Sequence, residues 1–182
     1  MPPMKTDSDW LVEFRARYAD WWPQARPMIE QHDYATAFKT YPWPVFTTAP
    51  WTPVTKPLAE SRIGVVTTGG LYRAGVDAPF ATDAPDGDWS VRSIPSDVPI
   101  QTLAIAHAHF AREVAEADMN TIFPLDRLRE LQAARVIAGL TDVHFSIMGY
   151  CTRAADLAEG AAPAIAAALQ AAGADVALVV PV

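Results

Sequence analysis

The residues best suited to chemistry in this sequence begin with two histidines. His107 and His109 stand two positions apart, a spacing that places both imidazoles on one side of an extended chain. Such a pair can bind a metal ion, donate hydrogen bonds or transfer a proton near neutral pH. A metal site needs a third ligand, for which Asp118 or His144 are candidates. Because the sequence does not show that these residues converge, we predict a hydrogen-bonding role and no metal, with Asp118 and Asn120 fixing the histidines or their loop.

A second group of reactive side chains lies between His144 and Cys151. Ser146 beside His144 suggests a hydrolase, but the G-x-S-x-G turn that exposes a nucleophilic serine is missing. Cys151 could be a thiolate if the amino terminus of a helix faced it. We predict that His144 joins His107 and His109 in orienting a substrate or donating a proton.

The segment Thr67-Thr68-Gly69-Gly70 follows an apolar run directly. Two hydroxyls and two glycines allow the main chain to approach an anionic group closely, so we predict that Thr67, Thr68, Gly69 and Gly70 bind a substrate carboxylate. A tight turn without a ligand explains the same residues. The chain contains neither G-x-G-x-x-G nor G-x-x-x-x-G-K-[ST], which argues against a nucleotide site.

Composition narrows the class of protein. The 182 residues suffice for one domain with a buried core, and no apolar run is long enough to cross a membrane. The amino terminus lacks an apolar stretch of signal-peptide length and the chain has one cysteine, so we expect a cytoplasmic protein. A net charge of −7 opposes binding to nucleic acid and leaves a small molecule or a protein as the partner.

The apolar runs and periodic segments predict an open, mostly parallel, doubly wound α/β sheet. Helical stripes at 125–134 and 157–169 separate the later strands, and we expect 75–99 to be an irregular surface loop. Strands are predicted at Arg62 to Thr67, Thr102 to Ala106, Val143 to Met148 and Val176 to Val180. Ligands bind beyond the carboxyl ends of such strands, where the candidate residues lie.

The amino-terminal part has a different texture. Aromatic residues three to four apart predict a helix over 9–22 that ends at Pro23, and a proline-rich connector follows. We therefore predict an appendage over residues 1–60, with an aromatic helix that packs on the main domain or on another subunit, and an α/β domain over 61–182.

Several stretches together resemble the selenoprotein B family of the glycine, sarcosine, betaine and D-proline reductases. They occur in the family's order and cover about two thirds of the chain. The stretches are Glu60 to Tyr72 (ESRIGVVTTGGLY), Trp89 to Pro99 (WSVRSIPSDVP), His107 to Phe110 (HAHF), Asp118 to Leu131 (DMNTIFPLDRLREL), Val143 to Tyr150 (VHFSIMGY) and Glu159 to Val182 (EGAAPAIAAALQAAGADVALVVPV).

This resemblance implies an open α/β fold and reductive cleavage of a carbon–nitrogen bond in a small amino acid. In the family a selenolate or thiolate displaces the amine, and a thiol or thioredoxin-like reductant regenerates it. Relatives carry that selenocysteine or cysteine soon after the strand matching 176–182, and this chain has none there. We expect the reading frame to stop at a UGA codon for selenocysteine, leaving a product that is inactive, less stable and prone to association. No other cofactor is expected.

Three alternatives remain open at the level of sequence. One is a reductase that uses Cys151, and another is a metal-dependent enzyme built on His107 and His109. The third is a non-catalytic binding or assembly subunit, in which 67–70 bind a carboxylate and the aromatic segment docks a partner. The expected partners are an amino-acid-like substrate, a thiol reductant and either reductase-complex subunits or further copies of this chain.

Overall fold

A computed structural model describes residues 9–46 and 52–182, which fall into two compact units, one within residues 1–52 and one formed by residues 53–182. The helices are α1 (Asp9–Glu30), α2 (Tyr34–Ala37), α3 (Glu113–Ala117), α4 (Leu125–Ala133), α5 (Ala154–Asp156) and α6 (Ala162–Ala171), and a π-helical turn, Leu157–Ala161, joins the last two. The strands are β1 (Arg62–Thr67), β2 (Leu71–Arg73), β3 (Arg92–Pro95), β4 (Leu103–Ile105), β5 (Gly139–Leu140), β6 (Val143–Ser146) and β7 (Val176–Val180).

The first unit is a long helix whose aromatic face packs within the unit. Trp21 donates its Nε1–H to the carbonyl of Ala37 at 3.1 Å and meets the ring of Tyr41 edge-on.

The prediction that Pro23 ends this helix is wrong, because α1 continues through Pro23 and Pro27. A proline inside a helix removes one main-chain hydrogen bond. The buried stripe that begins at Trp21 continues one turn later at Ala25 and two turns later at Ile29, and the burial of these side chains offsets the loss. Part of the proline-rich connector lies outside the described residues.

The main sheet of the second unit is built around β1. Ile63 pairs with Leu140 on one edge and with Val176 on the other, so β5 and β6 share one edge of β1 and β7 takes the other edge. All three pairings with β1 are parallel, whereas β3 runs antiparallel to β6. The sheet is therefore mixed and mostly parallel, as the α/β interpretation requires.

Helices cover β1 through two separate cores. Ile63 and Val65 belong to a core that includes Leu125 of α4, while Val66 belongs to a core that includes Leu169 of α6. Because neighbouring strand residues point to opposite faces, these two helices pack against opposite sides of β1. The fully doubly wound arrangement stays a prediction.

Two predictions for the middle of the chain are wrong. The run Thr102 to Ala106 was placed in the parallel sheet, but its strand β4 pairs antiparallel with β2 in a separate two-stranded sheet. The span 75–99 was taken as irregular, yet it contains β3, which forms an edge of the main sheet. The predicted strands at Arg62–Thr67 and Val176–Val180 are confirmed, and Val143–Ser146 confirms most of the third.

No helix within the described residues is long and apolar enough to cross a membrane.

Candidate functional site

The carboxyl ends of β1, β6 and β7 meet at one edge of the main sheet. The main-chain N–H of Thr68 donates to the carbonyl of Val180 at 3.1 Å, and that of Ile147 donates to Thr67 at 2.9 Å. The amide of Val182 then donates to the hydroxyl of Thr68 at 2.8 Å. The turn after β1 therefore lies between the ends of its two neighbouring strands, which is where open α/β sheets bind ligands.

The amides of the predicted carboxylate-binding turn donate inside the protein. Gly69 donates to the hydroxyl of Thr67 at 3.1 Å, and Gly70 donates to the carbonyl of Ile147 at 3.0 Å. Thr67 is fully buried, and its hydroxyl donates to the carbonyl of Ile122 at 2.7 Å. An anion bound at this turn would have to exchange with these acceptors or use the hydroxyl of Thr68, a partly exposed residue whose hydroxyl otherwise lies 3.5 Å from the carbonyl oxygen of Val182.

His107 lies at the same edge with one of its two ring nitrogens unsatisfied. Its side chain is 3% exposed, and Nδ1 accepts a hydrogen bond from the main-chain N–H of His109 at 3.1 Å. The neutral ring therefore carries its proton on Nε2, which is buried and has no partner among the described residues. Burial, and to a lesser extent the nearby His109, lowers the pKa of His107 to about 4.

The predicted association of His107 with His109 is found in the structure. Their ring centroids are 5.9 Å apart, and His109 stacks on Tyr150 with a centroid distance of 4.0 Å. The hydroxyl of Tyr150 donates to the carbonyl of Pro85 at 2.8 Å, which connects this stack to the loop before β3. The structure therefore fixes both imidazoles by contacts with main-chain or aromatic groups.

His144 occupies a different environment, inside the core on the α4 side of the sheet. Its Nδ1 accepts from the N–H of Val65 at 3.1 Å, and its ring packs edge-on against Phe123. The side chain is fully buried, and its Nε2 also lacks a partner among the described residues. Burial first, and the charge of Arg129 second, lower the pKa of His144 to about 4. The surroundings of His144 are therefore those of a structural residue in the core.

Asp118 and Asn120 line a surface cleft of about 650 Å³ that none of the three candidate histidines lines. Asp118 accepts from the main-chain N–H of Asn120 at 3.0 Å and from its side-chain amide at 2.9 Å. Asn120 in turn accepts from the N–H of Asp126 in the first turn of α4 at 3.1 Å. These contacts hold the start of α4, and the hydrogen bonds from Asn120 lower the pKa of Asp118.

The remaining candidates have environments unsuited to nucleophilic attack. Burial, with smaller contributions from Asp86 and Asp156, raises the pKa of Cys151 to about 11. Ser146 is fully buried, and its hydroxyl accepts from the N–H of Leu71 at 2.7 Å. Across residues 9–46 and 52–182, no three His, Cys, Asp or Glu side chains are grouped closely enough to hold a metal ion.

Gly149 is the site residue that the sequence analysis did not single out. A Cβ placed on Gly149 would lie 3.0 Å from Nε2 of His107 and 3.2 Å from both the carbonyl and the hydroxyl oxygen of Thr68. Any side chain at this position would therefore crowd both the imidazole and the turn after β1. A glycine immediately past the end of a predicted strand was the available signal, since glycine there often allows close main-chain approach.

An α/β protein with an open sheet and polar groups at the carboxyl ends of its parallel strands is the class that these features define. The chain belongs to the glycine/sarcosine/betaine reductase selenoprotein B family, whose model matches residues 27–181.

Two curated relatives illustrate the similarity. The chain is 30% identical over 128 residues to D-proline reductase subunit gamma of Acetoanaerobium sticklandii, a match that covers 70% of this chain and 51% of that protein. It is 31% identical over 136 residues to glycine reductase complex component B subunit gamma of Carboxydothermus hydrogenoformans, covering 74% of this chain and 31% of that protein. The chain thus spans about half or less of these relatives. No solved structure matches it significantly.

Proposed function

We propose that this chain is part of a reductase that cleaves the carbon–nitrogen bond of a small amino acid, with glycine, sarcosine, betaine and D-proline as the substrate class. The match to the family across residues 27–181 is the observation that carries the proposal. The names of the relatives, a D-proline reductase and a glycine reductase complex component, support it. The meeting of three strand ends beside an imidazole provides a suitable place for the substrate.

The reaction requires a nucleophile that the 182 residues do not offer in reactive form. Cys151 is the sole cysteine, and a pKa raised to about 11 leaves roughly one thiol in a thousand ionised at pH 8. We therefore place the selenocysteine or cysteine outside these residues, where its ionised form would bond to the α-carbon as the amine departs with the electron pair of the broken bond. A dithiol, such as a thioredoxin-like partner, would then supply the two electrons that cleave the bond between the α-carbon and the selenium or sulfur. With protons from solvent this step would release the deaminated acid, restore the nucleophile and leave the dithiol as a disulfide.

Substrate orientation is the role proposed for the residues at the sheet edge. His107, His109 and the turn 67–70 would hold the carboxylate, with Thr68 as the hydroxyl at the turn. A neutral imidazole with a pKa near 4 is a weak source of protons at pH 7, so His107 would donate a hydrogen bond and not transfer its proton. Asp118, Asn120 and His144 would support the elements that carry the site.

Other reductase subunits are the proposed partners, since one relative is named as part of a complex. A second candidate function is a binding or assembly subunit without catalysis of its own, which the high pKa of Cys151 favours. Further copies of this chain remain an alternative partner, and we propose a cytoplasmic setting on the grounds of the sequence.

Substrate binding and turnover can be measured separately on the 182-residue chain. We expect titration calorimetry to detect binding of at least one of the four amino acids, and assays with dithiothreitol to detect no release of amine. Binding without turnover supports the proposal that these residues hold the substrate while the nucleophile lies outside them. Amine release by the wild-type chain that disappears in Cys151→Ala would instead show that Cys151 is the nucleophile and contradict the proposal.

A further inference from the structure

Two buried histidines in the second unit share one bonding pattern. In His107 and in His144, Nδ1 accepts from a main-chain N–H, at 3.1 Å in both cases. Each ring therefore carries its neutral-state proton on Nε2, and in each case that buried N–H has no acceptor among the described residues. A buried donor without an acceptor costs roughly 1–3 kcal/mol, so such groups call for a specific explanation.

The surroundings of the two N–H groups differ in kind. The ring of His144 lies in the apolar core against Phe123, where an unpaired donor has no route to a ligand. The Nε2 atom of His107 instead lies 3.0 Å from the point where a Cβ on Gly149 would stand, and the carbonyl and hydroxyl oxygens of Thr68 lie 3.2 Å from the same point. These residues follow β6 and β1 at the edge of the sheet where ligands bind in open α/β folds.

We propose that the Nε2–H of His107 is the group that donates a hydrogen bond to the carboxylate of the bound substrate, and that Gly149 is a positioning residue that allows this contact. The inference rests on the proposed function and deepens it, because it names the donor atom, its tautomer and a specificity-determining glycine. The main-chain N–H of His109 fixes the tautomer by occupying Nδ1.

The neutral state of the ring is suited to this task. With its pKa lowered to about 4 by burial, His107 stays uncharged across the physiological range and keeps its donor at every pH above about 5. A hydrogen bond from a neutral donor to a charged acceptor in a buried setting strengthens affinity about 10-fold or more.

Gly149 limits the space that is left near the imidazole of His107 and the turn after β1. Because a Cβ at this position would meet both Nε2 and Thr68 at 3.0–3.2 Å, Gly149→Ala must push the imidazole, the turn or both aside. The donor is closed to water in this structure, so a carboxylate has to part Nε2 from the groups packed on it. We therefore expect the amides of Thr68 and Gly149 to respond to the ligand together with His107.

Nuclear magnetic resonance on the full chain with ¹⁵N-labelled histidine tests the proposal. Long-range proton–nitrogen correlations should show the proton of His107 on Nε2 between pH 5 and pH 8. Glycine and acetate should both move the Nε2–H resonance of His107, whereas glycinamide, which lacks the carboxylate, should not. The Nε2–H of His144 is the internal control and should not respond to either probe.

Two substitutions separate the donor from the structural acceptor. His107→Asn keeps an acceptor near the position of Nδ1 for the N–H of His109 but removes the donor, so we expect a folded protein that binds glycine at least about 10-fold more weakly. His107→Gln keeps an N–H near the position of Nε2 and should bind more tightly than His107→Asn. Gly149→Ala should weaken binding of glycine and acetate alike.

The outcomes distinguish this inference from the proposed function. If glycine shifts other amides while the His107 Nε2–H stays unchanged, and His107→Asn binds normally, the donor assignment is overturned and the reductase proposal stands. If acetate moves the Nε2–H but none of the four amino acids binds, the donor assignment stands and the proposed substrate class is overturned. A chain that responds to neither probe overturns both.

Discussion

At the scale of single residues, His144 shows how a titratable side chain can replace a strand in a hydrogen-bond ladder. β5 ends at Leu140 and β6 begins at Val143, and opposite this interruption Val65 donates its N–H to Nδ1 of His144. The hydroxyl of Thr141 lies 3.4 Å from the same nitrogen. The imidazole thus supplies an acceptor where the neighbouring main chain has turned away.

Replacing His144 with phenylalanine should therefore destabilise the second unit. The ring volume is retained, but the buried N–H of Val65 loses its acceptor, so we expect the free energy of unfolding to fall by about 1–3 kcal/mol. Chemical denaturation measures the loss, and amide hydrogen exchange should be faster at Val65 in particular. His144→Asn is the matched control, since its carbonyl can accept from Val65; equal exchange rates at Val65 in both variants would contradict this account.

The sequence predicted the pairing of His107 with His109 but not the separation of His144 from them. Spacing of two residues is a local property, and it survives in the structure as adjacent rings. Which face of β6 carries His144 depends on the register Val66↔Phe145, which places His144 opposite Val65 on the α4 side. Register is set by long-range packing, so the candidate list could not distinguish the edge of the sheet from its interior.

At the scale of elements, the loop before β3 is joined to the segment after β6 at Gly87. This glycine forms an antiparallel bridge with Cys151, and the loop also accepts the N–H of Thr152 at the carbonyl of Asp86, at 3.0 Å. Gly87 has φ of +86°, and a Cβ there would clash with the carbonyl oxygen of Tyr150. The loop can reach this segment only because residue 87 has no side chain.

Gly87→Ala and Gly75→Ala form a matched pair that tests this contact. Both residues have positive φ, but a Cβ on Gly75 has no atom within 4 Å. We expect Gly75→Ala to cost about 1–2 kcal/mol from backbone conformation alone, and Gly87→Ala to cost clearly more, because the main chain of 150–151 must move. Thermal and urea unfolding measure both; similar losses would show that the clash at Gly87 is relieved without cost.

The edge strand β7 leaves apolar side chains in solvent. Val179 is 60% exposed although it lies on the face of the sheet that α6 covers next to β1. β7 pairs only with β1 among the described strands, and its five residues carry no charge. Uncharged, exposed edge strands promote pairing between chains.

A lysine at position 179 should therefore reduce association of this chain with itself. Charged side chains on an edge oppose the approach of a second strand, so Val179→Lys should shift sedimentation profiles at high concentration towards the monomer. Val76→Lys provides the control, because Val76 is also exposed, at 68%, but lies outside the strands. Equal changes in both variants would mean that net charge, and not β7, controls association.

Apolar runs were the reliable part of the element prediction, and the errors have physical causes. β7 is apolar along its whole length, and β1 carries an apolar run between Arg62 and Thr67, so both strands can be recognised from the sequence. β3 reads Arg-Ser-Ile-Pro, with one buried residue, and its strand conformation comes from pairing with β6. β4 has an equally apolar sequence but pairs antiparallel with β2, and its residues alone do not distinguish this pairing from a place in the parallel sheet.

At the scale of the whole molecule, each of the two units has its own stabilising contacts. The cores described for the second unit draw only on residues from 63 to 182, including both faces of β1. In the first unit, the aromatic rings of α1 pack around Tyr41. The sequence predicted this difference in texture, since aromatic residues at helical spacing precede the prolines and apolar strands follow them.

Acid should weaken the second unit in a defined pH window. His107 and His144 have their pKa lowered from 6.5 to about 4, mainly by burial, so the unfolded chain binds protons that the folded chain excludes. The free energy of unfolding should therefore be maximal above about pH 6.5 and fall as pH decreases towards 4, by about 2 kcal/mol per histidine between pH 7 and pH 5. Carboxylates with lowered pKa, such as Asp77, add their loss only at more acidic pH.

Urea unfolding at pH 7, 6 and 5 measures the slope, and combining His107→Asn with His144→Phe should flatten it, because neither replacement titrates. A slope that the double variant leaves unchanged would mean that other groups take up the protons and that the pKa values of the two imidazoles are the same in the folded and the unfolded chain.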